Sequence, residues 1–179
     1  MNALVKAANT AVAQATDQGP GQYLTFMLGG EVFAIGILRI KEIIEYGHLT
    51  TVPMMPAFIR GVINLRGAVV PVVDLASRFG GQPGEVTRRS CIIILELEVE
   101  EEIQVIGVVV DAVNEVLEIA GADIEPPPGF GTRIRTDFIA GMGKVQERFV
   151  IILNVNKILS ANEMALIGQS GQFAEERAA

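Results

Sequence analysis

The sequence predicts an all-β protein made of two small barrels packed together, and three observations carry that prediction. Half of the 179 residues are hydrophobic, yet only 6% are aromatic and tryptophan is absent. A core of that composition is built from Val, Ile and Leu, a mixture that favours strands. The apolar runs are short and are punctuated by Gly, Pro and Asn at hairpin spacing. The third observation is an internal repeat. Phe58-Ile59-x-Gly61 matches Phe138-Ile139-x-Gly141 at an offset of 80 residues, and Val69 to Leu75 falls on Phe149 to Val155 at the same offset. Upstream, Ile40-x-Glu42-Ile43-Ile44-Glu45 matches Val113-x-Glu115-Val116-Leu117-Glu118 at an offset of 73. The seven extra residues therefore lie between Pro126 and Phe138. Each half is about 70 residues, a size at which a lone core is marginal, so two weak cores are expected to stabilise each other across an apolar interface.

Along the chain, residues 1–21 read as a flexible leader ending in Gly19-Pro20-Gly21. Ala3 to Ala15 can form a helix, but nothing in the sequence supplies a surface for it. Tyr23–Leu28 and Glu31–Ile35 are strands joined by a Gly29-Gly30 hairpin, where glycine permits the positive φ of primed turns. Ile37 to Ile44 mixes periods, a helical turn running into a strand. Phe58–Leu65 and Ala68–Asp74 pair through Asn64-Leu65-Arg66-Gly67, which suits a type I turn with Asn first and Gly fourth. Pro71 implies an edge position or a bulge there. Leu75 to Phe79 is one helical turn stopped by Gly80-Gly81. Ser160-Ala-Asn-Glu163 is a capping-box pattern that opens a short C-terminal helix, and a flexible tail follows over 169–179. The folded part spans 22–168, with halves of about 22–85 and 86–168 between which strands can be exchanged.

The chemistry expected of an enzyme or a nucleic-acid binder is missing from this pattern. The formal net charge is −7, from 14 basic and 21 acidic residues, whereas a nucleic-acid binder presents a basic face to phosphates. One histidine, His48, and one cysteine, Cys91, are too few for a zinc site. Cys91 opens an apolar run and reads as a core hydrophobe rather than a nucleophile. Gly141-Met-Gly-Lys144 lacks the spacing of a phosphate loop and the Ser or Thr after the lysine. The run Glu96, Glu98, Glu100, Glu101 and Glu102 reads as a solvated hairpin tip that discourages edge pairing. Asp74 and Asp111 read as turn or cap residues. No apolar stretch is long enough to cross a bilayer, and no secretory segment precedes the polar residues Gln14 to Gln22. No cofactor, metal, nucleic-acid partner or membrane insertion is expected.

The segment Phe58-Ile-Arg-Gly-Val-Ile-Asn-Leu-Arg-Gly-Ala-Val-Val-Pro-Val-Val-Asp-Leu75 closely resembles the central signature of CheW-like chemotaxis coupling proteins. The resemblance continues through Gln22 to Ile44, Gly107-Val-Val-Val-Asp-Ala-Val113 and Glu163-Met-Ala-Leu166. It implies two SH3-like five-stranded β-barrels packed together and no catalysis. It also implies a cytoplasmic adaptor, recruited to membrane receptor arrays, that joins the cytoplasmic tip of methyl-accepting chemoreceptors to the regulatory domain of the histidine kinase CheA. Carried over by residue, Arg66, Asn64, Glu42, Gly107, Val108 and Val113 correspond to receptor-binding positions, and Ile40, Ile43 and Gly61 to kinase-binding ones. An adaptor of a pilus-motility pathway and the adaptor part of a CheV-type protein share the same signature. The chain begins at Met1 and ends soon after the second repeat, which favours a stand-alone adaptor.

Overall fold

The computed structural model describes residues 3–14, 21–82, 84–127, 136–160 and 163. Strands β1 (Gln22–Leu28) and β2 (Glu31–Gly36) form the first hairpin, and a 3-10 turn over Ile37–Arg39 leads into β3 (Ile40–Glu45). The hairpin β4 (Ile59–Leu65) and β5 (Ala68–Asp74) follows, closed by a single helical turn, α2 (Leu75–Arg78). A long hairpin, β6 (Cys91–Val99) and β7 (Glu102–Val110), then runs into β8 (Ala112–Glu118), the two-residue β9 (Ile124–Glu125), and the hairpin β10 (Ile139–Val145) and β11 (Arg148–Leu153). Ahead of them all lies helix α1 (Ala3–Gln14).

The strands form two curled sheets, ordered β3-β6-β7-β5-β4 and β8-β1-β2-β11-β10-β9. Each is an SH3-like barrel, the second with β9 as a sixth strand. The halves exchange their leading hairpins: β1–β2 joins the strands of the second half, and β6–β7 those of the first. Both repeat offsets reappear in the registers. Val72 pairs with Gly107 in the parallel β5–β7 contact, and Ile152 pairs with Ala34 in the parallel β11–β2 contact. Val72 and Ile152 differ by 80, and Ala34 and Gly107 by 73. At the same offset of 80, the amides of Asp74 and Asn154 donate to the carbonyls of Phe58 (2.7 Å) and Phe138 (2.8 Å).

The core lies where this exchange predicts. Val70, Val72, Ile92, Ile94 and Val109 fill the first barrel, and Ala34, Ile119, Val150 and Ile152 fill the second. The largest cluster sits between them and draws Leu24, Phe26, Ile43, Leu95, Val108 and Leu153 from both sheets. β6 serves two cores with its two faces, Ile92 and Ile94 on one side and Cys91, Ile93 and Leu95 on the other. That double burial explains the unbroken apolar run from Cys91 to Leu95. Phe26, Phe33, Phe79 and Phe138 form a chain of ring contacts at 5.3–6.0 Å through this interface. Arg78 covers its end, with its guanidinium 4.6 Å from the ring centre of Phe58 and 5.3 Å from that of Phe138. The same guanidinium donates to the Ile158 carbonyl at 2.7 Å and to Glu163 at 2.9 Å.

Several expectations change. The segment read as a flexible leader contains α1, whose Val5 and Ala8 are buried and which packs on β3 and β8. The sequence showed the helix but not its receiving surface, which forms only when the two sheets meet. The turn after β4 is a two-residue hairpin, with Leu65 paired to Ala68. Arg66 and Gly67 hold φ of +52° and +88°, the signature of a type I′ turn, whose twist matches the flanking strands. Asn64 still helps close it, its side-chain oxygen accepting from the Gly67 amide at 2.9 Å. Pro71 lies on an inner strand, but pairing with β7 begins only at Val72, so beside Pro71 only β4 is in register. The capping box is seen as reciprocal bonds between Ser160 and Glu163, at 2.8 and 3.1 Å. The helix expected over 164–168, the tail and the loop around Gly129 lie outside the described residues.

Candidate partner-binding site

The β4–β5 turn carries the most distinctive exposed group of the first barrel. Arg66 occupies the left-handed region that an L-residue enters at a cost of about 1 kcal/mol or more, so its side chain springs from an over-determined backbone. Its guanidinium reaches Glu42 on β3 with both nitrogens, Nη1 to Oε1 at 2.8 Å and Nη2 to Oε2 at 3.2 Å. β3 and β4 are the two edges of their sheet, so this fork spans the opening where the barrel closes. The Arg66 side chain is 75% exposed and that of Glu42 22%. An ion pair that wet adds little to stability. What it does is hold the planar five-donor fork in one orientation, with most of its edge still facing solvent.

A second arginine is used differently. Arg60 on β4 donates through Nε to Asp74 Oδ2 at 2.8 Å and through Nη2 to the Gly84 carbonyl at 2.7 Å. Asp74 is buried, and its other oxygen accepts from the Ser77 amide at 3.1 Å, capping α2. Burial opposes the charge on Arg60, but the hydrogen bond and attraction of Asp74 outweigh it and hold its pKa above the ordinary value. The sequence showed the cap; the charge partner 14 residues away was not visible in it.

Among the described residues no group of three or more His, Cys, Asp and Glu gathers to hold a metal, and no described helix is long and apolar enough to cross a membrane. His48 is exposed in a loop. Cys91 is buried, its thiol donating to the Arg89 carbonyl at 3.2 Å. Burial, reinforced by the negative charge of Glu45, pushes the thiol up to about 11, against about 8.5 for a free one. The buried neutral thiol thus contributes stability that is fully present below pH ~8.5 and is lost as the pH rises toward 11. The expected result is that native protein at pH 8 resists a maleimide that labels the unfolded chain at once. Rapid native labelling at pH 8, with a rate levelling off near pH 8.5, would contradict this.

The profile of the CheW-like domain matches residues 22–163 of this chain. The chain belongs to the CheW-like family. Chemotaxis protein CheW of Klebsiella aerogenes is 37% identical over 146 residues, covering 82% of this chain and 86% of that protein. Chemotaxis protein CheW of Bacillus subtilis is 34% identical over 137 residues, covering 76% and 85%. The crystal structure of the scaffolding protein TtCheW from Thermoanaerobacter tengcongensis matches with a TM-score of 0.72 at 34% identity, covering 84% of this chain and 96% of that one.

On this CheW-like fold the residues singled out in the sequence separate into surface and interior. Arg66 and Asn64 are exposed and Glu42 half-buried, and the three lie together at the barrel opening. Ile40 and Ile43, which the resemblance gave as kinase-binding positions, are interior. The cause is a β-bulge: the register slips between Ile40 and Glu42, so Lys41 is the extra residue and both isoleucines turn inward. Gly107 and Val108 are buried on opposite faces of β7, and Val113 lies in the shared core under α1. Gly61 is buried because the backbone of Thr50 crosses against it. None of these six offers a side chain to a partner as the molecule stands. The large apolar side chains that are exposed include Leu38 (59%), just before β3, and Met54 (98%), between β3 and β4. The Pro53-Met-Met-Pro56 loop was a signal for the second, since prolines on both sides hold it away from either strand.

Proposed function

We propose that this chain is a non-enzymatic adaptor of bacterial chemotaxis. It joins the cytoplasmic tip of methyl-accepting chemoreceptors to the regulatory domain of a CheA-type histidine kinase in a ternary complex, in the cytoplasm beneath receptor arrays. The observation that carries the reading is the bidentate Arg66–Glu42 pair at the barrel opening. A guanidinium pre-aimed from a rigid turn suits the acidic and amide side chains of a helical receptor tip, because little ordering is needed on binding. Asn64 and Glu42 support that contact directly. Gly107, Val108 and Val113 support it from within, as the packed floor between the barrels. For the kinase, Ile40, Ile43 and Gly61 set the shape of the first barrel, and the exposed Leu38 and Met54 supply the apolar contact. The test is a pull-down from native membranes and cytoplasm with the full chain as bait. Joint recovery of a chemoreceptor and a CheA-type kinase is expected, and recovery of neither would defeat the assignment. The receptor recovered also tells swimming chemotaxis from pilus motility.

A further inference from the structure

We propose that α1 is a removable cover, seated in a groove that a helix of the receptor tip takes over when it binds; the identity of that helix rests on the adaptor reading above. β3 and β8 are repeat equivalents, and each is the edge strand of its own sheet. Their meeting leaves an apolar furrow between the barrels, and α1 lies on both strands. Val5 and Ala8 are buried in the furrow. Asn9, one residue further on the same helical face, acts as a strand surrogate. Its Nδ2 donates to the Ile43 carbonyl at 2.7 Å, and its Oδ1 accepts from the Ile43 amide at 2.8 Å. One side chain thus satisfies both outward-facing groups of an edge residue, which would otherwise invite another chain.

Two features mark this seat as temporary. The fit is incomplete, because a cavity of ≈ 380 Å³ remains, lined by Ala3, Val5, Arg89, Cys91, Ala112 and Val113. A helix with larger apolar side chains at the places of Ala3 and Val5, the two α1 residues that line it, would fill it and gain the contacts that α1 forgoes. In addition, a helix of 12 residues is marginal in water once undocked, so α1 does not hold its shape as a competitor after release. The occupant this groove fits is therefore one amphipathic helix with bulky apolar residues at the places of Ala3 and Val5 and an amide or hydroxyl at the place of Asn9. The groove is continuous with the arginine site, since Ile43, which Asn9 holds, directly follows Glu42 on β3. A helix laid along β3 would meet the exposed edge of Arg66 at one end.

The measurement uses full-length protein as wild type, Asn9→Ala and Ala8→Asp, titrated with a purified cytoplasmic hairpin of a chemoreceptor. Hydrogen exchange at the Ile43 amide is followed in the free proteins, and a nitroxide at Lys6→Cys reports α1, the buried Cys91 staying unlabelled. The variants should speed exchange at Ile43 and tighten receptor binding about fivefold or more, because the covered state no longer holds back the competent one. Receptor binding to the labelled wild type should mobilise the nitroxide. Faster exchange at Ile43 with unchanged or weaker receptor affinity would overturn the proposal and make α1 part of the permanent surface. Unchanged exchange in both variants would overturn it equally, since Asn9 would not then be closing the edge. Failure of every form to bind the hairpin is a different result: it removes the receptor reading itself.

Discussion

Replacing Asp74 by alanine lowers the stability of the fold by about 3 kcal/mol, the lower end of the range for breaking a buried ion pair. The lower end applies because the Arg60 side chain keeps 20% of its surface in water. Two losses combine: Arg60 is left with a charge facing low-dielectric surroundings, and α2 loses the cap at the Ser77 amide. In a chain of 179 residues that is a fall in Tm of about 6–12 °C. Asp74→Asn keeps an acceptor for the cap and should fall between wild type and alanine. Arg60→Met combined with Asp74→Ala should recover part of the loss, since no unpaired charge remains. Thermal and urea unfolding of these four proteins and of Arg60→Met alone measures this. A double variant as unstable as the simple sum would show that the two residues act independently.

Gly61→Ala is expected to cost a similar amount, roughly 2–3 kcal/mol, by forcing an atom into space that backbone already fills. A Cβ at Gly61 would sit 2.5 Å from the Thr50 carbonyl oxygen. That carbonyl cannot retreat freely, because Thr50 and Val62 exchange backbone hydrogen bonds at 2.8 and 2.9 Å. Gly61 also holds a φ of +154°. The repeat provides an internal control. At Gly141 an added Cβ would meet the γ-methyl of Ile124 at 2.7 Å, while the nearest backbone atom, the Glu125 oxygen, stands farther off at 3.1 Å. Gly141→Ala should therefore cost about 1 kcal/mol, nearer the value for mild overpacking. A urea midpoint shift at Gly61 no larger than that at Gly141, with m unchanged, would contradict the explanation.

The fold was legible where the determinants are local. Glycine pairs marked a hairpin, short Val- and Ile-rich runs marked strands, and the offsets of 73 and 80 reported equivalent positions that the sheet registers now reproduce. Exchange of the leading hairpins left no local trace, because β2 carries the same pattern whichever β5-like strand it pairs with. The inward turn of both Ile40 and Ile43 depended on a bulge at Lys41, and a single inserted residue has no signature in a run as apolar as this one. Arg66 illustrates both sides. Its place at a turn tip followed from the spacing, and its candidacy as a contact from the resemblance, while its bidentate pairing with Glu42 is a finding of the structure. Its left-handed backbone did not, since nothing in Asn-Leu-Arg-Gly distinguishes a four-residue type I turn from a two-residue primed one except the twist of the strands it joins. α1 was legible as a helix and illegible as a cover, because its seat belongs to two distant segments.

The most direct test of the adaptor account is a pair of titrations of wild type and Arg66→Ala, one against a receptor hairpin and one against the kinase regulatory domain. Arg66 contributes little to the fold, being three-quarters exposed and paired with Glu42 in a wet ion pair, so Tm should barely move. Receptor affinity should fall roughly tenfold, the scale of a lost charge-assisted bond, while kinase affinity stays within twofold, a difference worth only about 0.4 kcal/mol. Arg66→Lys should recover only part of the loss, since a single ammonium cannot present the planar fork. Equal loss toward both partners, or a drop in Tm large enough to account for it, would make Arg66 structural and contradict the account.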